Sequence, residues 1–506
     1  MTAPYTAKDH LPTQLMTAAQ VRDLDQRAIA QLQGDGFELM RRAGEAAFAA
    51  LLQRWPECES LVVLAGRGNN GGDGYVLAAL AAYHGMRAQV QTLGDHDQLS
   101  ASAQQARAMA QDAEVEILPW QPLPPQCDLV VDALLGTGLS ADVSGDFAAA
   151  VAAINAHAAP VLALDVASGL NADTGRIMGT AVQADLTVTF IGIKRGLLTA
   201  DGPDVSGDIA YASLSVDPSL FEEIKPSCER ISFHQLQQQG RLLAKRRGNS
   251  HKGEHGHALL LGGAPGMGGA VALAAQACYR TGAGLVSVAT SVDQRAMLLA
   301  RQPELMVQEV NSGLDVEPML KRATAIGCGP GLGQHSWGQL LLQPVLAASQ
   351  PLVLDADALN LLAQPAWQTE FAGRQVILTP HPGEAARLLG VSRDQIQSQR
   401  FEQAQALAQR YKAVVVLKGQ GTIVASPSGQ LALCSDGNPG MACGGMGDVL
   451  TGVLTALLAQ GLDAWQAACL GVCIHSAAAD LQAQQQGQRG LLASDLMQSI
   501  RYLVNV

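Results

Sequence analysis

The stretch Asp436-Gly-Asn-Pro-Gly-Met-Ala-Cys-Gly-Gly-Met-Gly-Asp-Val-Leu450 sets glycines and one carboxylate at the start of an apolar run. Those residue types at that spacing can transfer a phosphoryl group. Gly444, Gly445 and Gly447 let the backbone turn tightly and approach a ligand, and a helix over 448–460 aims free N–H groups and its positive dipole end at a phosphate. Asp448 then stands where a carboxylate takes the proton of a hydroxyl that is being phosphorylated. The competing reading is an aspartate that N-caps a helix behind a flexible loop.

A second glycine-rich stretch, Gly66-Arg-Gly-Asn-Asn-Gly-Gly-Asp-Gly74, follows an apolar run over 61–65. It lacks the Gly-Lys-Ser/Thr ending of a Walker motif, so it implies ligand binding rather than phosphoryl transfer. Asn70, Asp132 and Ser168 fall just after strand-like runs and bring amide, carboxylate and hydroxyl oxygens, which suit a hard cation. Turn capping by short acids is the alternative for Asp132 and Asp165. In the second half, Leu354-Asp-Ala-Asp-Ala-Leu-Asn360, Leu378-Thr-Pro-His-Pro-Gly-Glu384 and Leu417-Lys-Gly-Gln-Gly-Thr422 each follow an apolar run. Their polar groups converge on the sheet edge that holds Asp448. Lys418 and its glycine amides suit nucleotide phosphates, while Asp355 or Glu384 suits Mg²⁺ directly or through water. His381, between two prolines, reads as a substrate contact, because no second histidine shows metal-site spacing.

Alternating strands and helices must position these groups. Apolar runs over 61–65, 88–93, 128–133, 161–165 and 186–191 read as strands, with helices over 17–30, 36–54, 75–83, 101–111 and 147–157. That rhythm predicts a parallel sheet with helices on both faces. Between 217 and 249 it breaks into Pro-Ser, Gln-rich and charged text, including Lys245-Arg-Arg247, which reads as a solvated connector with two short helices. A second series follows: a strand over 257–263, strands near 285, 323, 352, 376 and 414, and helices over 268–281, 442–460 and 464–484. The fold class is α/β, in two three-layer αβα domains over 1–228 and 229–506.

Composition narrows the function. A chain of 506 residues exceeds one core, and 48% hydrophobic with 15% charged residues fits soluble α/β packing. The net charge of −12 argues against nucleic acid as a partner. No apolar run reaches the roughly 18 residues of a membrane span. Residues 1–12 carry no apolar leader core, and nine cysteines lie outside Cys-x-x-Cys spacing, so a cytoplasmic protein with reduced thiols is expected.

Together, residues 66–74, 132–138 and 165–169, the Thr-Pro-His-Pro-Gly-Glu384 segment and the glycine-rich run ending at Asp448 resemble the bifunctional NAD(P)H-hydrate repair enzymes. The resemblance spans nearly the whole chain. It implies a Rossmann-like NAD(P)H-hydrate epimerase domain, then a ribokinase-like dehydratase domain that uses ADP. For the first domain it implies substrate contact by Asn69, Asn70, Gly71, Gly72, Asp73, Gly136, Thr137, Gly138, Leu139, Ser140, Ala141, Asp142 and Asp165. It also implies potassium at Asn70, Asp132 and Ser168, and catalysis by Asp165 with Lys194 as a family position able to assist. For the second it implies hydrate contact by Ala270, Gly333, His381 and Asp448, and nucleotide contact by Lys418, Gly419, Gln420, Gly421, Thr422 and Gly447. Asp448 is its catalytic base. Mg²⁺ and a homo-oligomer are further expectations. Ala167 departs from the proline usual in that family, and Cys443 and Met446 stand where small hydroxyl residues are frequent. The rival expectation is a ribokinase-like kinase of a small hydroxymethyl compound, with a regulatory first domain.

Overall fold

Runs of Leu, Val and Ala too short for a helix pair into parallel sheets in each half of the chain. The computed structural model describes residues 11–367 and 369–506, so residues 1–10, part of the stretch read as carrying no leader, lie outside the described residues. The chain divides into two units, Met1–Arg230 and Ile231–Val506.

The first unit contains β1 (Gln14–Met16), β2 (Ser60–Ala65), β3 (Arg87–Thr92), β4 (Glu116–Pro119), β5 (Leu129–Ala133), β6 (Val161–Leu164), β7 (Leu186–Phe190), β8 (Ile193–Lys194) and β9 (Asp208–Ala212). Seven of these form a sheet in the order β4-β3-β2-β5-β6-β7-β9, with every pairing parallel. β2, β5, β6 and β7 are buried at every position, which is why they read as continuous apolar runs. Leu61, Val63 and Ala65 enter one core while Val62 and Leu64 enter another. Alternate side chains therefore feed two helix layers, and each fully buried Leu or Val contributes about 1.5–3 kcal/mol. The strand order reverses between β2 and β5, and ligands of open α/β sheets bind at such a switch point. β1 pairs in parallel with β8 and antiparallel with Cys228 and Glu229 of β10 (Cys228–Ile231).

The second unit contains β11 (His257–Leu261), β12 (Leu285–Thr290), β13 (Met306–Glu309), β14 (Ala325–Cys328), β15 (Leu352–Leu354), β16 (Val376–Leu378), β17 (Val414–Leu417), β18 (Thr422–Ala425) and β19 (Leu431–Cys434). They run β13-β12-β11-β14-β15-β16-β17-β18-β19, parallel as far as β17 and antiparallel beyond it. The helix Met446–Ala459 is apolar on nearly every side and packs against Gly268–Thr281. They approach closely at Gly452, where a Cβ would fall 2.1 Å from Ala274 O. Cys469 and Cys473 are buried, as expected of core thiols.

The α/β class and parallel sheets are borne out, and several boundaries move. The first glycine stretch is not a loop leading to a helix at 75, because the helix is Asn69–Tyr83. Four of its five glycines are packing sites, Gly68 being open: a Cβ on Gly71 would lie 1.9 Å from Gly66 O, and one on Gly74 2.7 Å from Ala133 Cβ. The helix that follows the second stretch begins at Met446, between the starts expected at 442 and 448. Residues 418–422 turn from β17 into the β18–β19 hairpin, whose two strands the sequence pattern does not resolve. The connector holds two short helices, Ser219–Glu222 and Phe233–Gln238, with β10 between them.

Candidate functional site

In the first unit a cavity of about 770 Å³ opens at the switch point. Asn69, Asn70, Asp73, the whole run from Gly136 to Asp142, Asp165 and Lys194 line it. Gly71 and Gly72 do not. They lie against Gly66 and Met40 inside the fold.

Asp165 follows β6 with φ +65°, a left-handed conformation that aspartate tolerates better than most residues. Its Oδ1 accepts hydrogen bonds from Lys194 Nζ and, at 3.2 Å, from Phe190 N. Lys194, fully buried, also donates to Thr189 Oγ1 at 3.1 Å and Phe190 O at 2.9 Å. Burial, aided by Asp165 and Asp25, raises the Asp73 carboxyl well above its ordinary value.

Beneath the cavity lies the proposed potassium set. Asp132, at the end of β5 and fully buried, accepts from Ser168 Oγ at 2.6 Å, Ser168 N at 2.7 Å and Leu134 N at 3.2 Å. Burial pushes its pKa up to about 6 against these hydrogen bonds. Asn70 is buried, and among the described residues neither its amide oxygen nor its nitrogen finds a partner. A fully buried carboxylate and a buried amide oxygen without a protein partner are groups that suit a cation with oxygen ligands.

In the second unit Asp355, His381 with Glu384, and Lys418 follow β15, β16 and β17 at one sheet edge. Lys418 Nζ donates to Asp355 Oδ1 at 2.7 Å and stands 3.8 Å from Glu384 Oε2. Thr451 Oγ1 donates to Asp355 Oδ2 at 2.9 Å. Burial works against the Lys418 ammonium, yet Asp355 and Glu384 outweigh it and raise its pKa. His381 N-caps the helix Pro382–Leu389, its Nδ1 accepting from Gly383 N at 2.9 Å, while Glu384 Oε2 accepts from His381 N at 2.8 Å. Gly333 N donates to Asp357 Oδ2 at 2.9 Å, and Ala270 lies one turn into the helix Gly268–Thr281 beside Gly331.

Asp448 is not a helix cap. The N-cap is Gly445, at φ +93°, and no side chain caps the helix. The first-turn N–H groups are thus left for a ligand. Among the described residues the Asp448 carboxylate has no hydrogen-bond partner. Burial, then the neighbouring Asp355 charge, raise its pKa to about 7, with Lys418 opposing. A Cβ on Gly447 would sit 3.4 Å from Lys418 Nζ and 3.5 Å from Asp355 Oδ2, so the helix start faces the ion pair directly. An uncapped helix N-terminus, a lysine and a carboxyl that titrates near neutrality together suit proton removal next to a phosphate.

Residues 36–196 match a family described as YjeF-related protein N-terminus, and residues 258–501 match the NAD(P)H-hydrate dehydratase family. The bifunctional NAD(P)H-hydrate repair enzyme of Coxiella burnetii is 46% identical, over 97% of this chain and 100% of its own. The chain belongs to the family of bifunctional NAD(P)H-hydrate repair enzymes. The Escherichia coli family member is 44% identical, over 93% of this chain and 90% of its own. A ribokinase-like superfamily protein from Enterococcus faecalis superposes with a TM-score of 0.51 at 29% identity, covering 56% of this chain and 97% of its own. The expected pairing of an epimerase with a ribokinase-like dehydratase is borne out, and the hydroxymethyl-kinase reading gains no better support.

Four residues of this repair enzyme stand at the two sites without a sequence motif. Asp25 lines the first cavity from the helix Ala18–Gln31, its pKa raised to about 6 by burial. The signal for it is a carboxylate one position past Leu24 and four past Val21, both buried. Arg400, 2% exposed, lies under the nucleotide turn: a Cβ on Gly419 would fall 2.8 Å from its Nη1, and its Nη2 donates to Gly421 O at 3.3 Å. Thr451 is one of two buried hydroxyls in an apolar helix. His475, buried, has an orphaned Nε2 and a pKa lowered to about 4 by burial.

Proposed function

We propose that residues 1–228 epimerise (R)- and (S)-NAD(P)H-hydrate and that residues 229–506 dehydrate the S form at the expense of ADP. The products are NAD(P)H, AMP and phosphate. The observation that carries the second half is the uncapped helix start at Gly445 beside Asp448, whose carboxyl titrates near 7.

In the dehydratase, Asp448 takes the proton of the hydroxyl on C6 of the hydrated nicotinamide ring, and that oxygen attacks the terminal phosphorus of ADP. The bond to the bridging oxygen breaks and AMP leaves. The new phosphate ester then departs as phosphate, and loss of a ring proton restores the double bond. Lys418 and the N–H groups of Gly447 and the 418–422 turn hold the phosphates, while Ala270, Gly333 and His381 seat the hydrate. Asp355 keeps Lys418 charged and in place. Mg²⁺ fits poorly on Asp355, whose two oxygens already accept from Lys418 and Thr451, so no step is assigned to it.

In the epimerase, Asp165 protonates the departing C6 hydroxyl as the ring nitrogen pushes its lone pair toward carbon, then removes a proton from the water that returns to the other face. Lys194 holds Asp165 in its left-handed conformation. Asn69, Asp73 and residues 136–142 seat the ring and its phosphates. Asn70, Asp132 and Ser168 would hold potassium, which supplies a fixed positive charge under the substrate.

A cytoplasmic setting is part of the same proposal, supported by nine free thiols. Among the described residues no helix is long and apolar enough to cross a membrane. A homo-oligomer is proposed too, to be tested by light scattering. The function is tested by adding the chain to mixed R and S hydrates with ADP, then with ATP, and following the absorbance of reduced nicotinamide. Full recovery with ADP is expected. Recovery of the S half alone would remove the epimerase, and a stable phosphorylated product would favour a kinase.

A further inference from the structure

The basic triplet Lys245-Arg-Arg247 takes no part in either reaction. In the second unit it forms one wall of a cavity of about 1520 Å³. Arg280, Arg301 and Arg501 also line it, each in the last turn of its own helix. Glu254 and Glu304 are the acidic side chains in that lining. Arg246 donates to Gly282 O, and among the described residues no carboxylate pairs with any of the six cations.

A cation in a helix's last turn offsets the negative end of the macrodipole. That accounts for Arg280, Arg301 and Arg501 one by one. It does not account for three more cations brought to the same cavity by the connector, in a chain of net charge −12. Thr281 supplies an independent sign. It is fully buried, it belongs to the lining, and among the described residues its Oγ1 has no partner. Its hydroxyl can donate to an oxyanion, as the guanidinium groups can.

We propose that this cavity binds a polyphosphate-bearing metabolite at a site separate from the Asp448 centre. The helix Gly268–Thr281 carries Ala270 in its first turn and Thr281 at its end, and Met446–Ala459 carries Asp448 in its first turn and ends beside Gln460 of the cavity. Each has 14 residues, so roughly 20 Å separates the two ends. A ligand in the cavity touches the far ends of the two helices whose starts build the dehydratase site, which is the position of an effector.

The probe is inorganic triphosphate, titrated calorimetrically into the full chain, into Arg280→Gln/Arg301→Gln/Arg501→Gln, and into Lys245→Ala/Arg247→Ala. The second variant alters only exposed connector residues and keeps the test open if the first fails to fold. Binding at least tenfold weaker in a folded variant, with ADP-dependent repair in the absence of triphosphate unchanged, is the expected result. Lys418→Met, which alters the catalytic site, leaves this binding in place. Failure of the unaltered chain to bind triphosphate, or a loss smaller than tenfold in every folded cavity variant, would overturn the proposal.

Discussion

The two glycine-rich helix starts look alike as text and do opposite work. Over 71–74 the glycines admit neighbouring backbone and side chains, Gly66 O against Gly71 and Ala133 against Gly74, so the first turn is tightly packed, while the N-cap Gly68 has nothing within 4 Å of a Cβ. At 444–448 nothing lies within 4 Å of a Cβ on Gly444 and Gly447 faces Lys418 and Asp355, whereas a Cβ on Gly445 would meet Leu273 Cδ1 at 2.7 Å and Ala493 Cβ at 3.0 Å. Gly71, Gly72 and Gly74 close the fold beside a cavity; Gly444 and Gly447 leave a helix end open toward Lys418 and Asp355. What separates them is the space around each Cα, which the sequence does not display.

Four changes break or sharpen that contrast. Asp448→Asn should lower ADP-dependent recovery of reduced nicotinamide by about 10²–10⁴-fold, leaving R–S exchange intact by chromatography of the epimers. The variant should also unfold at no lower temperature at pH 8. A carboxyl whose pKa rises on folding contributes stability below its unfolded value and loses that contribution as the pH climbs through about 7, so its charged form opposes folding. In the unaltered chain the recovery rate should rise about tenfold per pH unit below 7 and level off above it, because the base acts ionised. Lys418→Met should shift that limb to higher pH, since Lys418 is the group that lowers the Asp448 pKa.

The next two changes compare the glycines themselves. Gly71→Ala places a methyl 1.9 Å from Gly66 O. It should destabilise the first unit by roughly 1–3 kcal/mol or more, measured by denaturant unfolding. Gly447→Ala meets Lys418 Nζ and Asp355 Oδ2 at ordinary contact distance. Its stability should stay within about 0.5 kcal/mol, while the KM for ADP rises because the methyl occupies the approach to the helix end.

Strands buried on both faces are the legible part of this fold. β2, β5, β15 and β17 read as unbroken apolar runs, and their carboxyl ends locate Asn70, Asp132, Asp355 and Lys418 without any structure. The helical start at Asn69 is not legible, because the five glycines and two asparagines of 66–74 read as a turn. Asp25 and Arg400 escape for another reason: each acts on groups far along the chain. Arg400 supports a turn 21 residues away, and Thr451 reaches Asp355 across 96. Local propensity carries no trace of such pairs.

Division of labour between Asp165 and Asp448 is the central claim, and complementation between variants tests it most directly. Mixed R and S hydrates with ADP are given to Asp165→Asn, to Asp448→Asn, and to both together, and the recovered reduced nicotinamide is measured by absorbance. Two independent sites sharing a diffusible hydrate predict the S half from the first, nothing from the second, and full recovery from the pair. Recovery from the pair no greater than from Asp165→Asn alone would contradict them.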